Sequence, residues 1–246
     1  MYEMIWETAA LTDEGKRRAH NEDSILARPD DGIFVVADGM GGHAAGDVAS
    51  KMVTDAVAAM PANGSFPRLV DRFDDTLIDI NRQIRAHSDA HFGGKTMGCT
   101  VIAMLARRDV GVCMWAGDSR LYQVRDGEMR QISRDHDPLE ELVESGALTP
   151  EEADDHPDSS VITRAVGGQP DLCLDIIAFK MLPEDVYLLC SDGLYREVLR
   201  DEIHQILGNE EPTENTARTL MNLALERGAR DNVSVIVVRC HEKQGA

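Results

Sequence analysis

The stretch 33–42, IFVVADGMGG, runs from five consecutive apolar residues through Asp38 into a glycine-rich turn. A strand with one wet face alternates apolar and polar residues, whereas an unbroken apolar run of this length reads as a strand covered on both faces. Asp38 therefore arrives at the end of a buried strand, and Gly39, Gly41 and Gly42 leave the following backbone open to close approach by an ion or a substrate. A lone carboxylate in that position costs free energy unless something pairs with it.

The same arrangement recurs along the chain: Asp23 in NED, Asp118 in MWAGDSR, Asp192 in LLCSDGL and Asp231 in RDNVSV. Helix capping or an Asx turn explains any one such acid, but not the repeated placement beside apolar, strand-like runs. No matching set of Lys or Arg accompanies these aspartates, so hard divalent cations are the natural partners, and oxygen ligands suit Mg²⁺ and Mn²⁺. A two-metal centre, with one carboxylate bridging ions about 3.5–4 Å apart, accounts for the set. The chain has no GxxxxGK[ST] segment, which removes the usual nucleotide cradle.

Working outward, further β-type runs occur at Thr100–Leu105, Val110–Trp115, Leu121–Val124, Val186–Cys190 and Val233–Val238. The runs VGVCMW and LYQV, joined by AGDSR, read as a hairpin whose connection carries Asp118. Helical periodicity spans 45–60, with Val48, Met52, Ala56 and Ala59 on one face, and 68–91, with Leu69, Phe73, Leu77, Ile80 and Ile84 on one face. Two more helices are expected at 201–207 and 213–227. This order lacks the βαβα alternation of a doubly wound sheet and points to an α+β layered sandwich of antiparallel sheets covered by helices. The acidic segment 138–164 is short of strand signals. It reads as an insertion lying over the sheets, with a helix at 139–145 and another starting at TPEEA, 149–153.

Composition narrows the classes. The chain has 246 residues, 43% of them apolar, enough for one sizeable core, and no linker-like segment or repeat divides it, so a single domain over 1–246 is expected. A formal charge of −19 argues against nucleic acid or an anionic membrane as partner. The five cysteines form no CxxC pair and read as reduced core residues, consistent with a cytoplasmic protein. No basic-then-apolar leader and no run of about 18 apolar residues is present, so neither export nor membrane insertion is signalled.

Taken in order, RRAHNED, VADGMGG, GCTVIAML, GDSRLY, DHDPLEELVESGALTPEEA, TRAVGG, CSDGLY and ARDNVSV resemble the metal-dependent protein phosphatases called type 2C or PPM. The resemblance runs from about Thr12 to Val238. It implies a four-layer α-β-β-α sandwich with a metal centre at one edge between two antiparallel sheets. It also implies hydrolysis of phosphoserine and phosphothreonine in proteins, by direct attack of a hydroxide bridging two Mn²⁺ or Mg²⁺ ions.

Position by position, the resemblance implies Asp38 as the bridging carboxylate, the Gly39 carbonyl on the second ion, and Asp192 and Asp231 on the first. It gives Glu22 and Asp23 the metal-bound waters, and Asp118, with Asp192, a third and weaker metal site. Arg18, four residues before Glu22, takes the place of the phosphate-binding arginine, a task suited to planar, bidentate guanidinium. Its neighbour Arg17 reads as solvent-facing.

One departure stands out. Many eukaryotic members carry His directly after the Asp-Gly pair, as a candidate to protonate the leaving group, and here that residue is Met40. His43 and His136 read as structural. Ser160 and Arg164 lie where the insertion returns, within reach of substrate if 138–164 acts as a flap. The implied partners are phosphorylated proteins, targets of a bacterial Ser/Thr kinase, and the compact bacterial members suggest a cytoplasmic monomer.

Overall fold

The structure is a computed structural model that describes residues 4–41, 45–93, 96–139, 142–143, 145–149, 152, 156 and 161–242. The strands are β1 (Met4–Asp13), β2 (Asp23–Arg28), β3 (Ile33–Met40), β4 (Gly98–Cys99), β5 (Val101–Arg107), β6 (Val110–Ala116), β7 (Arg120–Arg125), β8 (Glu128–Gln131), β9 (Asp175–Lys180), β10 (Val186–Cys190) and β11 (Val233–Glu242). The helices are α1 (Gly46–Ala59), α2 (Phe66–His91), α3 (Asp192–Tyr195), α4 (Arg200–Gly208) and α5 (Thr213–Glu226).

One sheet has the order β1-β11-β10-β7-β8, and the other β2-β3-β5-β6-β9 with β4 paired to β3. Neighbouring strands are antiparallel in both. The apolar runs explain the layering. In β3, Ile33, Val35 and Ala37 face α1 and α2, while Phe34 and Val36 face the opposite sheet. In β11, Val233, Val235 and Val237 face α4 and α5, while Ile236 and Val238 point between the sheets. A strand that contributes to two cores must be apolar at every position, and burying each such side chain is worth roughly 1.5–3 kcal/mol. The result is a four-layer α-β-β-α sandwich. No described helix is long and apolar enough to cross a membrane.

The expected hairpin does not form. β6 pairs with β5 and β9 in one sheet, while β7 pairs with β10 and β8 in the other, so AGDSR crosses from sheet to sheet. The alternation of each run allows hairpin pairing equally well, but both faces of both runs are apolar, and separate sheets cover all four faces. The buried face of α1 also differs from the expected one. Ala49, Ser50, Val53, Thr54 and Val57 are buried, Val48, Met52 and Ala56 flank them, and Ala59 is exposed. Ser50 and Thr54 can lie inward because their hydroxyls find partners in the Glu22 carbonyl and Ser24, which hydropathy does not reveal.

The strands β1, β2, β4, β8 and β9 come in addition to those expected. In the insertion, the helix expected at 139–145 falls partly, and the one starting at 149–153 largely, outside the described residues. Thr149 and Glu152 do exchange the reciprocal backbone bonds of a helix start. The chain returns at Thr163, whose N–H donates to the His136 carbonyl over 2.7 Å, and at Val166, which bridges to Cys99.

Candidate metal centre and active site

One end of the sandwich, where strands of both sheets stop, opens into a cleft of about 300 Å³ lined by Arg18, Asp38, Asp118, Asp192, Arg196 and Asp231, among others. The layering places them there. Asp38 ends β3 in one sheet. Asp192 follows β10 and Asp231 precedes β11, both in the other sheet, while Asp118 rides the crossing segment between β6 and β7. Four of the five punctuating aspartates thus line a single cleft, and the fifth, Asp23, is buried behind it opposite Asp38 in the β2–β3 register.

The backbone around Asp38 is tied on both sides. Its N–H donates to the Thr100 hydroxyl over 3.2 Å, and its carbonyl accepts from the Thr100 N–H over 2.8 Å. The Gly39 N–H donates to the Glu22 carbonyl over 3.1 Å. A Cβ on Gly39 would lie 2.3 Å from the Gly46 carbonyl oxygen and 2.5 Å from that of Glu22, so only glycine permits this approach.

Asn232 fixes the loop that carries Arg18 and Glu22. Its Oδ1 accepts from the Glu22 N–H at 2.8 Å, and its Nδ2 donates to the carbonyls of Glu14 and His20 at 2.8 and 3.0 Å. Asp23 accepts the hydroxyls of Ser191 and Ser234 on Oδ2, at 2.8 and 2.7 Å, so it links β2 to the neighbouring sheet. Asn232, Thr100, Ser191 and Ser234 carry no chemistry of their own, and their positioning role shows only in three dimensions.

Burial and mutual repulsion act together on the acids. Burial, outweighing the Ser234 and Ser191 hydroxyls and reinforced by Asp192 and Asp231, pushes Asp23 up to about 7. Burial and the neighbouring Asp192 and Asp135 push Asp118 up to about 8. Burial also raises Asp38, with Asp23, Asp192, Asp118 and Asp231 adding, and it raises Asp192 against the opposing influence of Arg196.

The expectation that no Arg accompanies the aspartates does not hold. Arg18 Nη2 lies 2.6 Å from Asp231 Oδ2, and Arg196 Nε lies 2.9 Å from Asp192 Oδ2. Both arginines are close only through the fold or one helical turn, which the local motifs obscure. Arg17 is exposed and does not line the cleft.

The residues fit a pair of hard dications. The donor set is carboxylate and carbonyl oxygen, and buried oxygens Asp23 Oδ1 and Asp192 Oδ1 have no hydrogen-bond partner among the described residues. Among those residues no three of these side chains close into a ligand cage by themselves, with Asp231 and Asp192 engaged by arginines.

Met40 lines the cleft beside Gly39 and Gly41. His43 and Ser160 lie outside the described residues. Arg164 turns away to Asp175 and His136, and it is Ile162 that brings the returning insertion to the cleft. His136 packs against Trp115 and accepts the Gly117 N–H on Nδ1, a structural position.

Comparison with known proteins gives a consistent picture. The family model described as Protein phosphatase 2C matches residues 14–234. The chain is 38% identical over 237 residues to the serine/threonine protein phosphatase PstP of Mycobacterium tuberculosis, covering 95% of this chain and 45% of that protein. It therefore spans about half the length of that relative. Among solved structures it is similar to PppA, a key regulatory component of T6SS in Pseudomonas aeruginosa, with TM-score 0.88, 38% identity, and coverage of 96% and 99% of the two chains. It is also similar to the catalytic domain of PstP in complex with two manganese ions, with TM-score 0.87, 35% identity, and coverage of 97% and 100%.

Proposed function

Because this chain belongs to the protein phosphatase 2C family, we propose that it is a metal-dependent protein serine/threonine phosphatase, hydrolysing phosphoserine and phosphothreonine esters. The observation that carries this reading is the convergence of Asp38 from one sheet with Asp192 and Asp231 from the other, beside Arg18, in one cleft.

Asp38, the Gly39 carbonyl, Asp192 and Asp231 would hold two Mn²⁺ or Mg²⁺ ions, Asp192 and Asp231 serving the first, the Gly39 carbonyl the second and Asp38 both. Glu22 and Asp23 orient water on the far side. When bound, the ions supply concentrated positive charge and an activated water at neutral pH. Arg18 receives the phosphate: with one Nη2 donor on Asp231, the remaining N–H donors of its fork can take phosphate oxygens and stabilise charge that builds in the transition state. The Met40 thioether has no transferable proton, so the leaving alkoxide takes its proton from water in the cleft.

The chain 1–246 acts as a single phosphatase domain, with 138–164 as a flap whose returning limb reaches the cleft at Ile162. Its substrates are phosphorylated proteins, targets of a bacterial Ser/Thr kinase. It works as a cytoplasmic monomer, and the strongly acidic composition keeps it from nucleic acid and anionic membrane.

The test is hydrolysis of a phosphothreonine peptide with and without manganese. Turnover is expected with the metal and none after chelation. Asp38→Ala and Asp192→Ala are each expected to lose at least about 100-fold in kcat, while circular dichroism shows the fold intact. Full activity of both variants with added metal would sink the proposal.

A further inference from the structure

Arg196 caps the C-terminal end of α3, four residues after Asp192, and its guanidinium reaches both acids of one corner of the cleft. Its Nε lies 2.9 Å from Asp192 Oδ2 and its Nη2 lies 3.8 Å from Asp118 Oδ2. Those two carboxylates are the pair on which the family resemblance would place a third ion.

The corner is built around this contact. The neighbouring Tyr195 donates its hydroxyl to the Asp118 carbonyl over 3.1 Å, and the guanidinium of Arg120 stacks 3.6 Å from the Tyr195 ring centroid. Arg120 is itself fixed by Asp135 at 2.7 Å. Arg196 is therefore held in a packed arrangement, with its side chain only 26% exposed. A guanidinium stays protonated at any working pH, so a dication placed between the same two carboxylates would face a fixed positive charge at close range.

Charge balance favours the same conclusion. Five carboxylates line the cleft, from Glu22, Asp38, Asp118, Asp192 and Asp231, against the two guanidiniums of Arg18 and Arg196. Two dications turn that deficit into a small positive excess, which suits a phosphate monoester dianion. The cleft needs no third ion to reach it.

We infer that Arg196 is the resident cation of the Asp118–Asp192 corner, standing in for a third metal ion, so that this chain binds two ions where it would otherwise bind three. This rests on the two-metal reading above. Arg196 is a positioning residue: it holds Asp118 and Asp192 in place through charge that is part of the chain, and it leaves Asp192 Oδ1 free for the first ion.

The experiment is metal stoichiometry, measured on the whole chain by isothermal titration and by native mass spectrometry across micromolar to millimolar Mn²⁺, with thermal melts to confirm folding. The wild type is expected to bind two ions. Arg196→Ala and Arg196→Gln are expected to bind three, and Arg196→Lys, which keeps the charge, two. Adding Asp118→Asn to Arg196→Ala is expected to return the count to two. Three ions in the wild type, or two in both neutral variants, overturns the inference while leaving the two-metal centre standing. No binding by the wild type overturns the phosphatase reading itself and this inference with it.

Discussion

At the scale of single residues, His136 ties the segment next to Asp118 to the returning insertion. Its Nδ1 accepts the Gly117 N–H over 3.1 Å, next to Asp118, while its carbonyl accepts the N–H and hydroxyl of Thr163 where the insertion returns. Burial and then Arg164 lower its pKa below the ordinary 6.5, with Asp175 and Asp137 opposing. A group depressed in this way contributes stability that is complete above 6.5 and lost as the pH falls through its folded-state value. Protonating Nδ1 would also set two donors against each other at Gly117. The urea midpoint of the wild type is thus expected to drop on going from neutral pH to about pH 5 more than that of His136→Asn, whose amide oxygen can accept the same N–H. Equal drops in the two proteins would show that His136 does not carry this dependence.

The site was unevenly legible at this scale. Asp38, Asp192 and Asp231 were readable because each stands at a strand end, where an acid needs a partner. Arg196 was not, because its meaning depends on the fold bringing Asp118, far away in sequence, to the same corner as Asp192.

At the scale of elements, α3 is packed close against Asn232 and the start of β11. A Cβ on Gly193 would stand 2.0 Å from the Asn232 carbonyl oxygen and 3.4 Å from a Val233 methyl carbon. That obstacle is backbone, not a flexible side-chain end. Gly193→Ala is therefore expected to lower unfolding free energy by about 1–3 kcal/mol and to weaken manganese binding, since the clash lies between the segments that carry Asp192 and Asp231. Chemical denaturation with a parallel metal titration checks both, and an unchanged midpoint would mean that α3 moves away freely.

The buried strands β3, β5, β6, β7, β10 and β11 and the helices α1, α2, α4 and α5 were legible because burial on one or two faces leaves a periodic trace. The edge strands β1, β8 and β9 and the cleft-side β2 leave a weaker one. In β9 the exposed Ile176 and Ile177 stand beside half-buried Asp175, so burial there gives no alternation to read. The hairpin expectation failed for a related reason: a short gap between two strands allows a turn within one sheet or a step to another, and only packing chooses.

At the scale of the whole molecule, the segment 138–164 returns to the cleft at Ile162. If it screens protein substrates, shortening it should change kcat/KM on a phosphopeptide at least about 10-fold more than on p-nitrophenyl phosphate, which is too small to touch a flap. Equal changes on both substrates would assign it to structure alone.

The passage of AGDSR from one sheet to the other has a mechanical consequence. Asp38 belongs to one half of the sandwich and Asp192 and Asp231 to the other, so the cleft acts as a vernier on the alignment of two stacked plates. Sliding one plate against the other by a fraction of a side chain leaves every strand intact and puts the acids out of step. Residues between the sheets, such as Phe34, Tyr187 and Ile236, do not line the cleft, yet they set the calibration of that vernier.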